Sequence, residues 1–168
     1  MVLGLPDGRR LRIRPIAPDD KALLQEGLRR LSPESVHRRF LGPKARLSAA
    51  ELRYLTEVDG RDHIALVAVD DADPAHLVGV ARCVRSAGDR ETAEMAIVVE
   101  DAWQGHGVGH LLAEALAHAA AAVGVRRFSA VILADNVGAQ RLLGGITEHL
   151  HAGLPAAGVR ELVGELRS

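Results

Sequence analysis

The sequence predicts an α/β fold, on the strength of two observations. Apolar runs of strand length alternate with segments that carry the capping and periodicity signals of helices. A turn with three glycines in five residues then joins one of these runs directly to a long helix rich in alanine and leucine. At 168 residues the chain suits one domain, residues 1–168, with room for a substantial core.

The first third of the chain predicts one strand followed by three helices. Leu11 and Ile13 alternate with arginines, which is the pattern of a half-buried strand, and the run ends at Pro15. Each following helix has its own N-terminal signal. These signals are Asp19 or Asp20 for the first helix, Ser32 before Pro33 for the second, and Ser48 with Glu51 for the third.

The remainder predicts a meander of three strands and then a strand–turn–helix unit. The strands cover residues 63–69, 76–85 and 92–99, and the last of them leads into the glycine turn. The helix after this turn ends at Gly124, a residue typical of the position just beyond a helix. An almost wholly apolar run at residues 128–134 predicts a strand buried on both faces. A short helix beginning at Asn136 and two weaker strands, residues 147–151 and 160–166, complete the pattern.

The glycine turn predicts a phosphate-binding site. It reads Gln104-Gly105-His106-Gly107-Val108-Gly109 and opens into the helix. Glycine allows positive φ and close approach of a ligand, while the helix N-terminus offers unpaired N–H groups and the positive end of its dipole. An anion is therefore the expected ligand of this turn.

The spacing of the glycines excludes two familiar nucleotide-binding motifs. A Walker A loop requires Gly-Lys-Ser/Thr, and neither Lys nor Ser follows here. A dinucleotide fingerprint starting at Gly105 requires a glycine at position 110, which is His110. The pattern that remains is Gln-x-x-Gly-x-Gly, formed by Gln104, Gly107 and Gly109.

This pattern resembles the pyrophosphate loop of the GNAT family of N-acetyltransferases, which bind acetyl-CoA. Asn136-x-x-Ala139-x-x-Leu142 resembles a second motif of the family, and the order of strands and helices is similar along nearly the whole chain. The resemblance implies a GNAT acetyltransferase fold, with a mixed, mostly antiparallel central sheet of six to seven strands flanked by about four helices. The N-terminal half is similar to the catalytic domain of bacterial protein-lysine acetyltransferases in these segments: Ser32-Pro33-Glu34-Ser35, Arg39-Phe40, Leu47-Ser48, Leu55-Thr56 and Val58-Asp59.

The resemblance implies which residues contact acetyl-CoA. The strand before the turn separates from its neighbour in this family, so that Ile97, Val98 and Val99 contact the acetyl and pantetheine groups through the backbone. Asn136 is expected to hydrogen-bond the pantetheine arm, or to cap its own helix. Backbone amides at the turn are expected to bind the pyrophosphate. The turn residues are Gln104, Gly105, His106, Gly107, Val108 and Gly109.

Glu94 is the candidate catalytic base. A lysine amine has a pKa near ~10.4, so about one molecule in a thousand or fewer is neutral at pH 7, and a carboxylate can remove the proton directly or through water. On a strand, Glu94 shares a face with Ala96 and Val98, which are small enough to leave room beside it. The resemblance implies a glutamate base on this same strand. An exposed strand glutamate in a cross-strand pair is the alternative.

Leu143 departs from the family pattern, since many members have a tyrosine there that protonates the leaving thiolate. Three functions stay open at this point. The first is an acetyl-CoA-dependent N-acetyltransferase acting on a protein lysine. The second is an acetyltransferase of a small amine, and the third is a non-catalytic acyl-CoA-binding regulatory domain.

Composition bears on the partners. A net charge of −1 gives no general electrostatic reason to bind nucleic acid, and the longest apolar helix is too short to span a bilayer. Cys83 is the only cysteine, and no histidine cluster has the spacing of a metal site, so we expect no metal. We expect a cytoplasmic protein that is a monomer or homodimer and contacts neither nucleic acid nor membrane.

Overall fold

One eight-stranded sheet forms the centre of the protein, of which a computed structural model describes residues 1–168. The strand order is β1-β2-β3-β4-β5-β6-β8-β7, and every neighbouring pair is antiparallel except β5 and β6. The strands are β1 (Val2–Gly4), β2 (Arg10–Pro15), β3 (His63–Asp70), β4 (Asp73–Arg85), β5 (Thr92–Val99), β6 (Arg127–Leu133), β7 (Thr147–Ala152) and β8 (Val159–Leu166).

Five α-helices flank the sheet, and most begin at the residues that the sequence marks. Ser32 caps the second helix by accepting from the Ser35 amide, and Ser48 with Glu51 forms a capping box on the third. None of the helices is long and apolar enough to cross a bilayer. The helices are α1 (Lys21–Arg29), α2 (Pro33–Phe40), α3 (Ala49–Thr56), α4 (Val108–Ala122) and α5 (Val137–Ile146).

The predicted α/β class and the mixed, mostly antiparallel sheet are confirmed, while the element counts need correction. The sheet has eight strands rather than six to seven, and there are five helices rather than about four. The additional strand is β1, whose three residues pair with β2. Three residues are too few for an alternating pattern to be visible in a sequence.

Strand β6 is buried on one face only, which corrects the prediction of burial on both faces. Phe128, Ala130 and Ile132 are buried, whereas Val131 between them is 38% exposed. The apolar side chains of β6 therefore do not all belong to the core. Val131 instead lines a cavity that is described below.

The two faces of the sheet carry separate hydrophobic cores. The larger core joins the sheet to α4 and α5, and its fully buried members include Leu112, Leu116 and Phe128. The smaller core joins the opposite face to α1, α2 and α3 through residues such as Leu24, Leu28 and Val67. The strands in the middle of the sheet are thus held from both sides.

A buried arginine ties α3 to the sheet. Arg82 of β4 is 6% exposed, and its Nη1 donates to the Leu55 carbonyl oxygen at 3.0 Å. The same nitrogen lies 3.0 Å from Nε2 of His63, which is also buried. Burial, and secondarily the charge of Arg82, lowers the pKa of His63 to about 4. His63 is therefore neutral at pH 7 and can accept the hydrogen bond from Arg82.

We predict that His63 makes the protein acid-sensitive. The pKa of His63 falls from 6.5 to about 4 on folding, so above pH 6.5 its titration leaves stability unchanged. As the pH falls from 6.5 to 4, the unfolded chain takes up the proton first. The free energy of unfolding then decreases by at most about 1.4 kcal/mol per pH unit. Urea unfolding of wild type and His63→Gln between pH 7 and 4 measures this loss, and parallel curves for the two proteins would contradict the prediction.

Candidate functional site

A gap opens in the sheet between β5 and β6. These parallel strands pair only at Thr92↔Arg127, Ala93↔Phe128 and Glu94↔Ser129. Strand β5 nevertheless remains paired with β4 as far as Val99. The edge of β5 that faces β6 is therefore unpaired beyond Glu94, in the middle of the sheet.

Two backbone amides of β5 point into this gap. The amide of Glu100 donates to Val78 at 2.8 Å, on the β4 side, whereas the carbonyl oxygen of Val99 accepts from the Gln104 side chain on the other side. Because backbone groups alternate along a strand, the amides of Ile97 and Val99 face the gap and that of Val98 faces β4. The expected backbone contacts thus need one correction, since Val98 offers no free amide and can reach a ligand only by packing.

The glycine turn presents unpaired amides to the same region. Gly105 and Gly107 have φ of 77° and 87°, a conformation that favours glycine. The amides of residues 105–110 donate no hydrogen bond to the protein, and the first helical bond is made by Leu111 to the Gly107 carbonyl oxygen. A Cβ at Gly105 or Gly107 would meet nothing within 4 Å, so the turn is also sterically open. These amides and the N-terminus of α4 form a cradle suited to an anion.

One cavity of about 320 Å³ joins the gap to the turn, and we refer to it as the loop cavity. Every residue predicted to contact the cofactor lines it, with the exception of His106. The predicted residues that line it are Ile97, Val98, Val99, Gln104, Gly105, Gly107, Val108, Gly109 and Asn136. Its size and open amides fit a phosphate-bearing ligand with an extended arm.

The side chain of His106 points elsewhere. Its Nδ1 lies 3.5 Å from Oδ2 of Asp7, at the N-terminal edge of the sheet. Only the backbone amide of His106 is available to an anion in the turn.

The turn is fastened to α2 by a network of polar side chains. Nε2 of Gln104 donates to the Ser35 hydroxyl at 3.1 Å as well as to Val99. Asp101 accepts from the hydroxyl groups of Ser32 and Ser35 at 2.7 and 3.1 Å. The Gln104 side chain therefore positions the turn and the end of β5.

Asn136 and Leu143 lie at opposite ends of α5. Oδ1 of Asn136 accepts from the Ala139 amide at 3.1 Å, so Asn136 caps α5, and its side-chain NH₂ makes no hydrogen bond to the protein. Leu143 is 2% exposed and lines the loop cavity. No tyrosine, cysteine, histidine or carboxylic acid lines this cavity, so none of its side chains replaces the missing tyrosine as a proton donor.

Glu94 stands where the gap begins. It is the last β5 residue paired with β6, and its side chain is exposed and does not line the loop cavity. It belongs to the same face of β5 as Val98, which packs against the smaller core. Burial lowers the pKa of Arg39, and the nearby charge of Glu94 partly opposes this shift. A carboxylate and a guanidinium thus share this face of the sheet.

Acidic residues before β3 are already engaged within the protein. Glu57 pairs with Lys21 at 3.0 Å, and Asp62 pairs with Arg90 at 2.5 Å. Backbone amides, that of His63 foremost, hold the pKa of Asp59 below its ordinary value. Asp59 therefore stabilises the turn before β3, whereas Glu57 and Asp62 pair with cations of other segments.

Sequence reasoning missed the contribution of α2 to the site. Ser35, Arg38 and Arg39 line the loop cavity, although they precede the glycine turn by more than sixty residues. Only the packing of α2 across the end of β5 brings them there. A polar, arginine-bearing helix face gives no local signal of this proximity.

Three comparisons identify the family. The model of the acetyltransferase (GNAT) domain matches residues 10–146. Acetyltransferase Pat of Mycolicibacterium smegmatis is 36% identical over 131 residues, which are 78% of this chain and 39% of that protein, so the chain spans well under half the length of this curated relative.

No cluster of His, Cys, Asp or Glu in the structure is arranged to hold a metal ion.

Solved structures agree with this assignment. The GNAT domain of S. lividans PAT superposes with a TM-score of 0.88 at 31% identity, covering 99% of this chain and 96% of that one. The acetyltransferase yncA of Salmonella typhimurium, solved with its cofactor acetyl-CoA, shares the fold, with a TM-score of 0.69 at 21% identity over 94% of this chain and 93% of that one. The chain therefore belongs to the GNAT family of N-acetyltransferases, enzymes that use acetyl-CoA as the acyl donor.

Proposed function

We propose that this enzyme transfers the acetyl group of acetyl-CoA to the side-chain amine of a protein lysine. The similarity to the Pat and PAT proteins supports a protein acceptor. The observation that carries the proposal is the placement of Glu94 at the start of a gap lined by two unpaired amides. This arrangement puts a carboxylate beside the only interruption in the middle of the sheet.

The donor is held by main-chain groups. The amides of residues 105–110 bind the diphosphate of acetyl-CoA, and the side-chain NH₂ of Asn136 donates to its pantetheine arm. The amides of Ile97 and Val99 donate to the thioester carbonyl oxygen. They also stabilise the negative charge that develops there, since these groups are already fixed in orientation by the β4–β5 ladder.

Glu94 prepares the acceptor. The lysine arrives as an ammonium, and the Glu94 carboxylate takes a proton from it, directly or through a water molecule. The neutral amine then attacks the carbonyl carbon, the nitrogen releases its second proton to solvent, and the C–S bond breaks so that the thiolate of CoA leaves. With Leu143 in place of a tyrosine, the thiolate takes its proton from solvent, which is acceptable for a thiol whose pKa is about 8.5.

A negative charge in the glycine turn tests the donor site. We expect Gly107→Asp to weaken acetyl-CoA binding at least tenfold more than Gly107→Asn, because the two side chains are similar in size and only one repels the diphosphate. Isothermal titration with acetyl-CoA measures both. Gly158→Asp controls for strain, since Gly158 also has positive φ (79°) and open space around it but lies outside the loop cavity. Equal affinities of the Asp and Asn variants of Gly107 would refute the assignment.

Removing the carboxylate of Glu94 tests the catalytic base. We expect Glu94→Gln to lower kcat by about 10²–10⁴-fold at pH 7, with little change in the KM for acetyl-CoA, because the side chain does not line the loop cavity. The exposed Glu91, which precedes the same strand, serves as a matched control in Glu91→Gln. Release of CoA at the same rate by wild type and Glu94→Gln would exclude Glu94 as base. Negligible release from both would favour a non-catalytic acyl-CoA-binding domain.

A comparison of acceptors tests the lysine proposal. With radiolabelled acetyl-CoA, we expect label to enter lysines of folded proteins with a kcat/KM at least tenfold above that for free polyamines or amino acids. Mass spectrometry of the labelled protein verifies the site of modification. Faster acetylation of the small amines would instead assign the enzyme to small-molecule substrates.

A further inference from the structure

A second cavity lies on the face of the sheet that carries the smaller core, between α1, α2, α3 and strands β4 and β5. It has a volume of about 60 Å³, and we refer to it as the helix-face cavity. A cavity needs about 10–15 Å³ of such space to hold one water molecule, so this cavity has room for a small functional group. Its wall is mainly apolar, with residues such as Leu28, Leu55 and Val80, and its polar lining consists of Arg39, Arg82 and Glu100.

The two arginines of this cavity have no acidic partner. Arg82 is 6% exposed, and its only hydrogen bonds run from Nη1 to the neutral acceptors Leu55 and His63. Arg39 makes no hydrogen bond, and its guanidinium lies 4.9 Å from the ring of Phe40. Neither arginine has a carboxylate oxygen within 4.0 Å. A charged group buried as deeply as Arg82 is ordinarily paired, yet no carboxylate lies within 4.0 Å of it, and the half-buried Arg39 interacts with the charge of Glu94 only from beyond that distance.

Glu100 does not supply that countercharge. Its Oε1 lies 3.2 Å from Nε of Arg30, and its Oε2 lies 2.5 Å from Nε2 of His76. Burial and the charge of Arg39 lower the pKa of Arg82 to about 10, so Arg82 still carries its proton at neutral pH. The helix-face cavity is therefore apolar in its walls and positive in charge.

We propose that the helix-face cavity is a carboxylate-binding subsite, in which Arg82 and Arg39 bind an anionic group carried on a short apolar chain. A guanidinium binds a carboxylate in a planar, two-bonded geometry, and Arg82 still has Nη2 and Nε without a protein acceptor. The apolar residues that line the rest of the cavity are suited to the short chain that carries this carboxylate.

The location of the cavity links it to the reaction. Arg39 and Val98 line both the helix-face cavity and the loop cavity, and the charge of Glu94 acts on Arg39. A carboxylate bound here therefore lies beside the point where acyl transfer is proposed to occur. This link rests on the proposed function, and two sources of the carboxylate fit the chemistry. One is an acidic side chain next to the acceptor lysine, and the other is the far carboxylate of a dicarboxylic acyl-CoA.

A binding experiment without turnover tests the subsite itself. Propionate and its neutral isostere propionamide are titrated into the protein at pH 7, and binding is followed by NMR. We expect propionate to bind at least tenfold more tightly than propionamide, and Arg39→Gln to remove at least tenfold of that affinity. Arg39→Gln is preferred to a change of Arg82 because Arg82 also donates hydrogen bonds to the Leu55 carbonyl oxygen and to His63. Arg82→Lys, checked by thermal melting, provides the second variant.

Two controls locate the bound propionate. Arg53→Gln removes an exposed arginine of α3 and should leave the affinity unchanged. Gly107→Asp repels anions from the glycine turn and should also leave it unchanged. Equal binding of propionate and propionamide, or unaltered binding by Arg39→Gln, overturns the proposal. This result is independent of whether lysine is acetylated.

Steady-state kinetics distinguishes the two sources. If the acceptor supplies the carboxylate, Arg39→Gln raises the KM of a Glu-Lys peptide at least tenfold but leaves that of the matching Gln-Lys peptide unchanged. If the donor supplies it, the same variant raises the KM of succinyl-CoA and spares that of acetyl-CoA. Failure of both patterns, with KM values unaffected for all four substrates, shows that the subsite serves neither substrate and overturns its link to the reaction.

Discussion

The early end of the β5–β6 ladder is the constraint on which the rest of the site depends. A parallel pair of strands would ordinarily continue its hydrogen bonds along the shared length, and here the bonds stop after three residue pairs. The unpaired amides that result are costly unless water or a ligand satisfies them. They are maintained because β4 holds β5 firmly on its other edge and α4 packs across the same strands. The sheet is thus stable with an interruption at its centre, and that interruption is where the donor is proposed to bind.

Much of this architecture could be predicted from the sequence, because its signals are local. The Ser32 and Ser48 caps, the bounds of β5 and the glycine at position 124 were all recoverable from short patterns. The glycine turn could also be predicted from the sequence, because few residue types other than glycine adopt the positive φ found at Gly105 and Gly107.

Other features depend on contacts between distant segments, and the sequence does not show them. The apolar run in β6 predicts burial on both faces, yet Val131 faces a cavity. The same apolar residue types line the core and a cavity for an apolar ligand arm, so the sequence does not distinguish the two. The proximity of Arg39 and Arg82 arises because α2, which is distant from the sheet strands in the chain, packs against β5 beside β4. The direction of the Val98 amide likewise depends on the register between β4 and β5, which no single strand encodes.

The hydrogen bonds among Ser32, Ser35, Asp101 and Gln104 have a mechanical consequence. They fasten the first turn of α2 to the segment that enters the glycine turn, and α2 also carries Arg39. Neither the loop nor the helix can shift by more than a fraction of an ångström unless these bonds lengthen or break. A displacement of the glycine turn therefore either carries the first turn of α2 with it or breaks these hydrogen bonds.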